Sequence, residues 1–347
     1  MVFLCADRLK QVMLGILSDC KVEPESAAHL VDSVVEASLK GIDTHGLSLF
    51  PHYVEGFRKG RINRNPQFRI VKDNGSAKLI DADGAIGHHA GIFAMDFCID
   101  MASKNGSGIV AVRNSSHFGA ASYFTEYAAR HNMIAFAFTN TNSLVKAHGA
   151  VEPFFGTNPI CFSCPMDGEE PMCLDMATSI ISWNYVRNHK ETNQLLGDGL
   201  AYDENGHFTT DPHKARCVRP IGDYKGFGLG MMVEIMCSVL TGSELGHNLM
   251  PMFGSDMTKK RGISHCFHAI DIRKFTNIKQ FRERMKNLAA TIRGMKPLEG
   301  QEVMIPGDPE KRAMKIRLET GIPVAPNVWK NLLEVSPKFT EAVIREK

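Results

Sequence analysis

Apolar residues recur at helical spacing near both ends of the chain. In Cys5–Leu17 and Pro24–Leu39 they return every three or four positions, the period of a helix that buries one face. Leu47–Gly60 continues this spacing, and its final glycine is a common helix stop. The C-terminal part predicts three more helices, at Thr276–Arg293, Asp308–Thr320 and Pro326–Val335.

The middle of the chain alternates between short strand-like runs and helical segments. Apolar or alternating residues predict strands at Phe68–Val71, Ala77–Ala82, Gly108–Arg113, Ile134–Thr139 and His265–Ile272. Helical spacing returns in Gly91–Lys104, in the residues leading to Arg130, and in Gly226–Thr241. This alternation predicts an α/β fold. The strand, glycine-containing turn and helix at 108–130 form a unit where α/β proteins often bind ligands.

The composition is that of a globular protein with room for two or three domains in its 347 residues. The 40 basic and 38 acidic residues leave a net charge of +2, which provides no field for nucleic acid or anionic membranes. We find no apolar run long enough to span a bilayer and no signal peptide. The nine cysteines lie mostly in apolar segments, which indicates reduced thiols in a cytoplasmic protein.

Cys161, Cys164 and Cys173 come nearest to a metal-binding pattern. A structural zinc site needs four ligands in close groups. This chain offers one Cys-x-x-Cys pair inside a strand-like segment, and no second pair follows. We therefore predict no metal and keep a zinc protein as an alternative that metal analysis would test.

Three short segments place titratable side chains beside glycines: Gly41-Ile-Asp-Thr-His-Gly46, Asn114-Ser-Ser-His-Phe-Gly119 and Asp223-Tyr-Lys-Gly-Phe-Gly228. Glycine lets a backbone approach a ligand closely, and histidine exchanges protons near neutral pH. Together the three segments indicate a cofactor-dependent enzyme, although each alone is compatible with a structural turn. No G-x-G-x-x-G follows a predicted strand, so a Rossmann site is not expected.

Six segments in register resemble the malate/L-lactate dehydrogenase family, which also holds sulfolactate, ureidoglycolate and diketogulonate dehydrogenases and is unrelated to the Rossmann-fold lactate dehydrogenases. After Gly41–Gly46 they are Ser116–Gly119, Gly156–Pro159, Asp175–Ser179, Thr209–Pro212 and Tyr224–Leu229. The resemblance implies a non-Rossmann, sulfolactate-dehydrogenase-like α/β fold with a mixed sheet and helical N- and C-terminal parts. It also implies NAD or NADP as cofactor, and a homodimer.

The resemblance further implies three domains. Residues 1–74 and 295–347 would form a mainly helical substrate and dimer domain, and residues 75–121 and 237–294 an α/β core. Residues 122–236 would be an inserted dinucleotide-binding domain, where the chain becomes richer in Pro, Asn, Thr and Gly.

The resemblance assigns the chemistry to His45 and His117, with Thr44 orienting His45. Hydride transfer to a C=O or C=N bond requires a proton, which a histidine supplies. The sequence does not rank the two histidines, and Thr44 as a helix N-cap is an alternative. Lys225 would neutralise cofactor phosphate, and Asp175 would bind ribose hydroxyls or cap a turn. The implied cofactor contacts are His117, Gly119, Ala120, Ser122, Thr141, Asp175, Met176, Ala177, Lys225, Gly226 and Gly307.

Two positions depart from the family pattern. The family usually has an arginine four residues after the first histidine, where it holds the substrate carboxylate, and this chain has Leu49. A lysine of the family is replaced by Tyr185. His52 is the candidate replacement for the arginine, unless it faces solvent. The expected substrate-binding residues are therefore Leu49, His52, Thr157 and Tyr185.

The sequence thus predicts an NAD(P)-dependent oxidoreductase. It would transfer hydride between nicotinamide and a small polar substrate, either a 2-hydroxy acid or 2-oxo acid or a compound with a C=N bond. The alternative is a catalytically altered binding or regulatory protein on the same scaffold, which the two lost cations favour and the retained histidines oppose.

Overall fold

A computed structural model describes residues 2–339 and 343–344 of the protein. The chain folds into helices and strands that alternate along most of its length. The helices are α1 Ala6–Asp19, α2 Pro24–Leu39, α3 Phe50–Lys59, α4 Gly87–Asn105, α5 Ser122–Arg130, α6 Trp183–Thr192, α7 Tyr224–Glu234, α8 Ile278–Arg293, α9 Asp308–Thr320 and α10 Pro326–Val335. The strands are β1 Val2–Leu4, β2 Arg69–Asp73, β3 Ala77–Asp81, β4 Ser107–Ser115, β5 Met133–Thr139, β6 Val145–Lys146, β7 Pro153–Phe155, β8 Ile160–Cys164, β9 Met172–Met176, β10 Ala201–Tyr202, β11 Phe208–Thr209, β12 Cys217–Val218, β13 Ile263–Asp271 and β14 Ile322–Val324.

A seven-stranded mixed sheet forms the centre of the molecule, in the order β2-β3-β4-β13-β5-β8-β9. The β3–β4 pair is parallel and the other neighbours are antiparallel. The middle strands consist largely of buried apolar residues, and α4 and α5 pack against them. This architecture confirms the predicted α/β fold with a mixed sheet.

The ends of three central strands meet at one edge of this sheet. Because β13 runs antiparallel to β4 and β5, its start lies beside the ends of both. Ile263 pairs with Ser115 of β4, and His265 pairs with Thr139 of β5. The segments that leave these strands, including the turn that carries His117, therefore emerge together.

A second sheet of five short strands has the order β11-β10-β12-β6-β7. All of its strands come from residues 145–218, inside the segment predicted to be an inserted domain. Three other strands from that segment, β5, β8 and β9, belong to the seven-stranded sheet. The division into three domains stays a prediction.

The two ends of the chain share one core. The antiparallel β1–β14 pair joins them, and apolar residues of α1, α2 and α3 pack with those of β14 and α10. Gly60 ends α3 with φ of 90°, a left-handed conformation in which a side chain would be strained. The helical N- and C-terminal parts predicted from periodicity are therefore confirmed.

α7 continues directly into a π-helical turn at Ile235–Val239. Apolar side chains along this helix and the residue after it are at least one-third exposed: Leu229, Met231, Met232, Ile235, Val239 and Leu240. Among the described residues, no helix has both the length and the apolar character needed to cross a membrane.

Candidate active site

The two predicted catalytic histidines lie face to face. His45 belongs to the turn between α2 and α3, and His117 to the turn after β4. Their rings are stacked with centroids 5.7 Å apart and planes 15° from parallel. The Thr44 hydroxyl lies 3.1 Å from Nδ1 of His45. Two segments far apart in sequence thus bring both proton-exchanging groups together.

Tyr53 of α3 orients His117. Its hydroxyl lies 2.7 Å from Nδ1 of His117, and the Gly119 amide approaches the same nitrogen at 3.4 Å. A backbone N–H can only donate, so Nδ1 accepts and the neutral ring carries its proton on Nε2. Burial raises the pKa of Tyr53, so its hydroxyl stays protonated and donates as well. The sequence analysis did not single out Tyr53, because it fits the apolar spacing of α3.

The histidines of this region are neutral in the folded protein. Burial lowers the pKa of His45 to about 4, and burial followed by the neighbouring His45 and His88 takes the pKa of His117 well below its usual value. His88 of α4 is fully buried and its pKa is lowered to about 3, first by burial. In the neutral His117 ring, Nδ1 accepts from Tyr53, so Nε2–H is the nitrogen that can donate a proton. The Thr44 hydroxyl can donate to Nδ1 of His45 or accept from it, so either nitrogen of the His45 ring can carry the proton.

A cavity of about 560 Å³ lies beside this pair. Thr44, His45 and Thr157 form part of its wall, together with six of the predicted cofactor contacts: Gly119, Ala120, Ser122, Asp175, Ala177 and Gly307. The remaining wall includes Lys40, Glu126 and the segment before α9. The cavity therefore joins the N-terminal helices, the start of α5, the edge strand β9 and the C-terminal part.

Asp175 of β9 caps the N-terminus of α5. Its carboxylate accepts the Ser122 amide at 2.9 Å, as an N-terminal cap would. Loss of hydration raises the pKa of Asp175, and the hydrogen bond from the Ser122 amide opposes this rise. Asp175 therefore supports the helix while its side chain also faces the cavity, so both roles expected from the sequence are compatible.

Gly119 shows why this turn needs glycine. Its φ is 75°, and a Cβ there would come within 2.4 Å of Nε2 of His88. Any side chain would both strain the backbone and collide with a buried ring.

Lys40 and Glu126 form a buried ion pair in the cavity wall that the sequence analysis missed. The Lys40 ammonium lies 2.7 Å from Glu126 of α5 and 2.5 Å from Glu36 of α2. Burial opposes the charged form of Lys40, but Glu126 and Glu36 outweigh it and raise its pKa. The only sequence signal is a lysine placed directly before the Gly41 turn.

The other predicted residues lie outside the cavity wall. Thr141, Met176 and Gly226 are half-buried or buried, and Lys225 is exposed at the start of α7. Leu49 is 3% exposed and packs in the core shared by the two chain ends. The contacts of these side chains with cofactor or substrate stay predictions.

Tyr185 and His52 lie on two helices near the catalytic turn, α6 and α3. Tyr185 of α6 is partly exposed and contacts His189, while its neighbour Asn184 donates to the Thr44 carbonyl at 3.1 Å. His52 does not face open solvent, because its ring packs on Phe253 at 4.9 Å and burial lowers its pKa to about 4. Substrate contact by either residue stays a prediction.

The cysteines form no evident ligand set. Sγ of Cys161 lies 3.8 Å from Sγ of Cys173, and each of these thiols is free. Within the described part of the chain, no three His, Cys, Asp or Glu side chains are grouped so that they could hold a metal ion.

Comparison with known proteins identifies the fold and the family. The model of the malate/L-lactate dehydrogenase family matches residues 4–333. The chain belongs to this family. The dehydrogenase is 33% identical to L-sulfolactate dehydrogenase of Methanocaldococcus jannaschii, over 94% of each chain. Its structure matches that of malate dehydrogenase from Entamoeba histolytica with a TM-score of 0.91 and 27% identity, over 96% of this chain and 97% of the other.

Two relatives carry a cofactor in their names. One is ureidoglycolate dehydrogenase (NAD(+)) of Escherichia coli, 29% identical over 94% of each chain. The other is (2R)-3-sulfolactate dehydrogenase (NADP(+)) of Chromohalobacter salexigens, 31% identical over 83% of this chain and 84% of the relative. The resemblance seen in the sequence, the fold class and the dehydrogenase assignment are thus confirmed.

Proposed function

We propose that this dehydrogenase transfers hydride between NAD or NADP and a small polar 2-hydroxy acid or 2-oxo acid, or a related C=N compound. The observation that carries this proposal is the stacked His45–His117 pair at the edge of a cavity built from the predicted cofactor contacts. The relatives' names span malate, sulfolactate and ureidoglycolate, which share a hydroxyl beside a carboxylate.

The dinucleotide supplies the hydride acceptor or donor when it is bound. The chain supplies the binding wall and the proton. Tyr53 holds the His117 ring in one orientation, and Thr44 does the same for His45. Because Nδ1 of His117 accepts from Tyr53, its Nε2–H can donate the proton that carbonyl reduction consumes. The neutral His45 ring can accept the proton that alcohol oxidation releases.

The direct test is a screen of NADH and NADPH oxidation against 2-oxo acids, cyclic imines and uncharged carbonyl compounds. We expect turnover of at least one 2-oxo acid or imine, and loss of turnover when both histidines are replaced. Cofactor binding without turnover of any substrate would favour the binding or regulatory alternative instead.

We also propose that the chain forms a homodimer through the exposed apolar face of α7, and not through the helical domain of the two chain ends that the resemblance implies. A group of exposed apolar side chains on one helix is typical of an interaction surface, and symmetric dimers are the commonest oligomers. Replacing Val239, which is 60% exposed, with Asp should convert a dimer to a monomer in sedimentation analysis. A wild-type chain that sediments as a monomer would overturn this proposal.

A cytoplasmic location and the three-domain division complete the proposal. All nine cysteines are free thiols, as expected in a reducing compartment. The five-stranded sheet between residues 145 and 218 supports an inserted unit, and limited proteolysis at its borders would test whether it separates.

A further inference from the structure

Arg261 is a buried cation with no acidic partner in the part of the chain that the structure describes. It is 6% exposed, its Nε donates to the Met250 carbonyl at 3.0 Å, and one terminal nitrogen donates to Oδ1 of Asn142 at 3.0 Å. The one group that raises its pKa is the phenol of Tyr53, and no carboxylate of the described residues acts on it in this way. Buried charges in proteins are normally paired, because an unpaired charge loses its hydration without compensation. A ligand is one source of the missing anion.

The sheet register places Arg261 at the end of the sheet where β4 leads into the His117 turn. Ile263, at the start of β13, pairs with Ser115 at the end of β4. Arg261 lies two residues before Ile263, and His117 lies two residues after Ser115, so both extend the chain beyond this pair on the same side. Asn142 leaves β5 three residues after Thr139, which pairs with His265 of the same β13. The hydrogen bond between Arg261 and Asn142 therefore spans the edge from which the His117 turn emerges.

The electrostatic environment confirms this proximity. Arg261 is among the charges that lower the pKa of His117 and, after burial itself, is the first charge that lowers the pKa of His52. Burial, followed by Arg61, lowers the pKa of Arg261 to about 9, so the guanidinium stays charged at neutral pH. The region beside the histidines therefore carries uncompensated positive charge.

A nearby buried arginine shows what a structural role looks like. Arg61 is 1% exposed, and its terminal nitrogens donate to the carbonyls of Met252 and Asp256 and to the Ser255 hydroxyl. It thus fastens the 250–256 loop at several points. Arg261 makes two hydrogen bonds to neutral groups, which leaves donors of its five-donor guanidinium for another acceptor.

We propose that Arg261, positioned by Asn142, binds the carboxylate of the substrate. It would take over the task of the arginine that is absent at Leu49. Leu49 is packed in the core, so no cation reaches the site from that position. This inference rests on the proposed hydride-transfer function and names its substrate class, small carboxylates rather than uncharged carbonyl compounds.

The first test compares Arg261→Gln with Lys260→Gln. Lys260 is the adjacent residue, it is half-exposed, and its removal changes the net charge equally. We expect Arg261→Gln to lower kcat/KM for carboxylate substrates roughly 10- to 100-fold, mainly through KM, because a hydrogen-bonded charge pair is lost. Activity on uncharged carbonyl compounds should change little, and Lys260→Gln should match the wild type. An equal loss on charged and uncharged substrates would overturn the proposal.

A second variant separates binding from folding. Asn142→Asp would give Arg261 a built-in anion at the distance of the present hydrogen bond. We expect the unfolding temperature to hold or rise while carboxylate affinity falls, because the internal carboxylate competes with the substrate. A merely structural arginine would leave carboxylate affinity unchanged in this variant, which would sink the proposal even if Arg261→Gln does not fold.

Calorimetric titration with oxamate, an unreactive carboxylate, makes the test independent of turnover. Oxamate should bind the wild type in the presence of NADH and bind Arg261→Gln at least roughly tenfold more weakly. If no substrate is turned over but oxamate binding depends on Arg261, the hydride-transfer proposal fails and the anion site stands. If turnover occurs and oxamate binding ignores Arg261, the anion site fails alone.

Discussion

Two groups of residues at the same cavity hold ionisable side chains in opposite charge states. In one group, His45 and its stacked partner His117 have no acidic neighbour in hydrogen-bond contact among the described residues, and burial keeps both neutral. In the other group, Lys40 is 7% exposed yet remains charged, because Glu126 and Glu36 contact it. Lys40 is buried more deeply than the half-buried His45 and His117, so the presence of a partner, and not the depth of burial, decides the charge state.

This difference matches the two tasks of the site. A proton-exchanging group must change its charge during the reaction, so an ion pair that locked it in one form would slow it. The cavity wall at Lys40 has to keep its shape while a large ligand enters and leaves, and a paired cation between α2 and α5 holds those helices in place. Four changes test this contrast, in order of falling expected effect.

Replacing either histidine should have the largest effect. His117→Ala and His45→Ala should each lower kcat by roughly 10²–10⁴-fold, the usual range for acid–base catalysis, with little change in unfolding temperature. Steady-state kinetics on the best substrate measure this loss. The variant with the larger loss identifies the proton-transfer residue, and near-normal kcat in both would refute the assignment.

Removing the charge of Lys40 should mainly lower the free energy of unfolding. Lys40→Met leaves the buried Glu126 carboxylate without its main partner, and breaking such a pair typically costs about 3–5 kcal/mol. Urea unfolding measures the change. Lys59→Met is the matched control, since Lys59 contacts Glu55 at 2.7 Å on the surface and its pair is worth at most about 1 kcal/mol. An equal loss of unfolding free energy in both variants would show that burial of the Lys40 pair adds nothing to its effect on stability.

Acidic pH should destabilise the folded protein through its buried histidines. The pKa values of His88 and His265 are lowered by burial to about 3, so between pH 6.5 and about 3 the unfolded chain binds protons that the folded chain does not. Stability that is present above pH 6.5 is therefore lost as pH falls, by up to about 1.4 kcal/mol per pH unit for each such group. Urea unfolding at pH 7, 6 and 5 follows the loss.

His88→Leu provides the check on that prediction. Both ring nitrogens of His88 are buried and have no hydrogen-bond partner among the described residues, so leucine removes a titrating group and breaks no hydrogen bond that the structure shows. The slope of stability against pH should flatten in this variant. An unchanged slope would show that other groups govern acid unfolding.

Lys225→Ala should have the smallest effect. This cation is exposed at the start of α7, where solvent and salt screen its attraction for cofactor phosphate. We expect cofactor affinity to fall only a few-fold, about 1 kcal/mol or less, and the difference to shrink at high salt. Fluorescence titration of NADH and NADPH at two salt concentrations measures it. A large, salt-independent loss would mean that Lys225 binds the cofactor in a dry pocket.

Sequence analysis identified the features that depend on local pattern. Helical spacing predicted the two helical ends, short apolar runs predicted β4, β5 and β13, and glycine-rich turns marked His45 and His117. It could not find Tyr53 or Lys40, because an apolar helix face predicts burial and says nothing about which side chain lies opposite. It noted Leu49 as a lost cation but had no means of placing Arg261 near the site.

The sequence by itself determined the family, the α/β class and the residue types available for proton transfer, because these follow from periodicity and motif order. Only the tertiary structure decided which charges are paired. Glu126 meets Lys40 across 86 positions of the chain, and Arg261 reaches Asn142 across 119. Such pairings depend on strand register and helix packing, which bring distant segments together through the burial of the whole core.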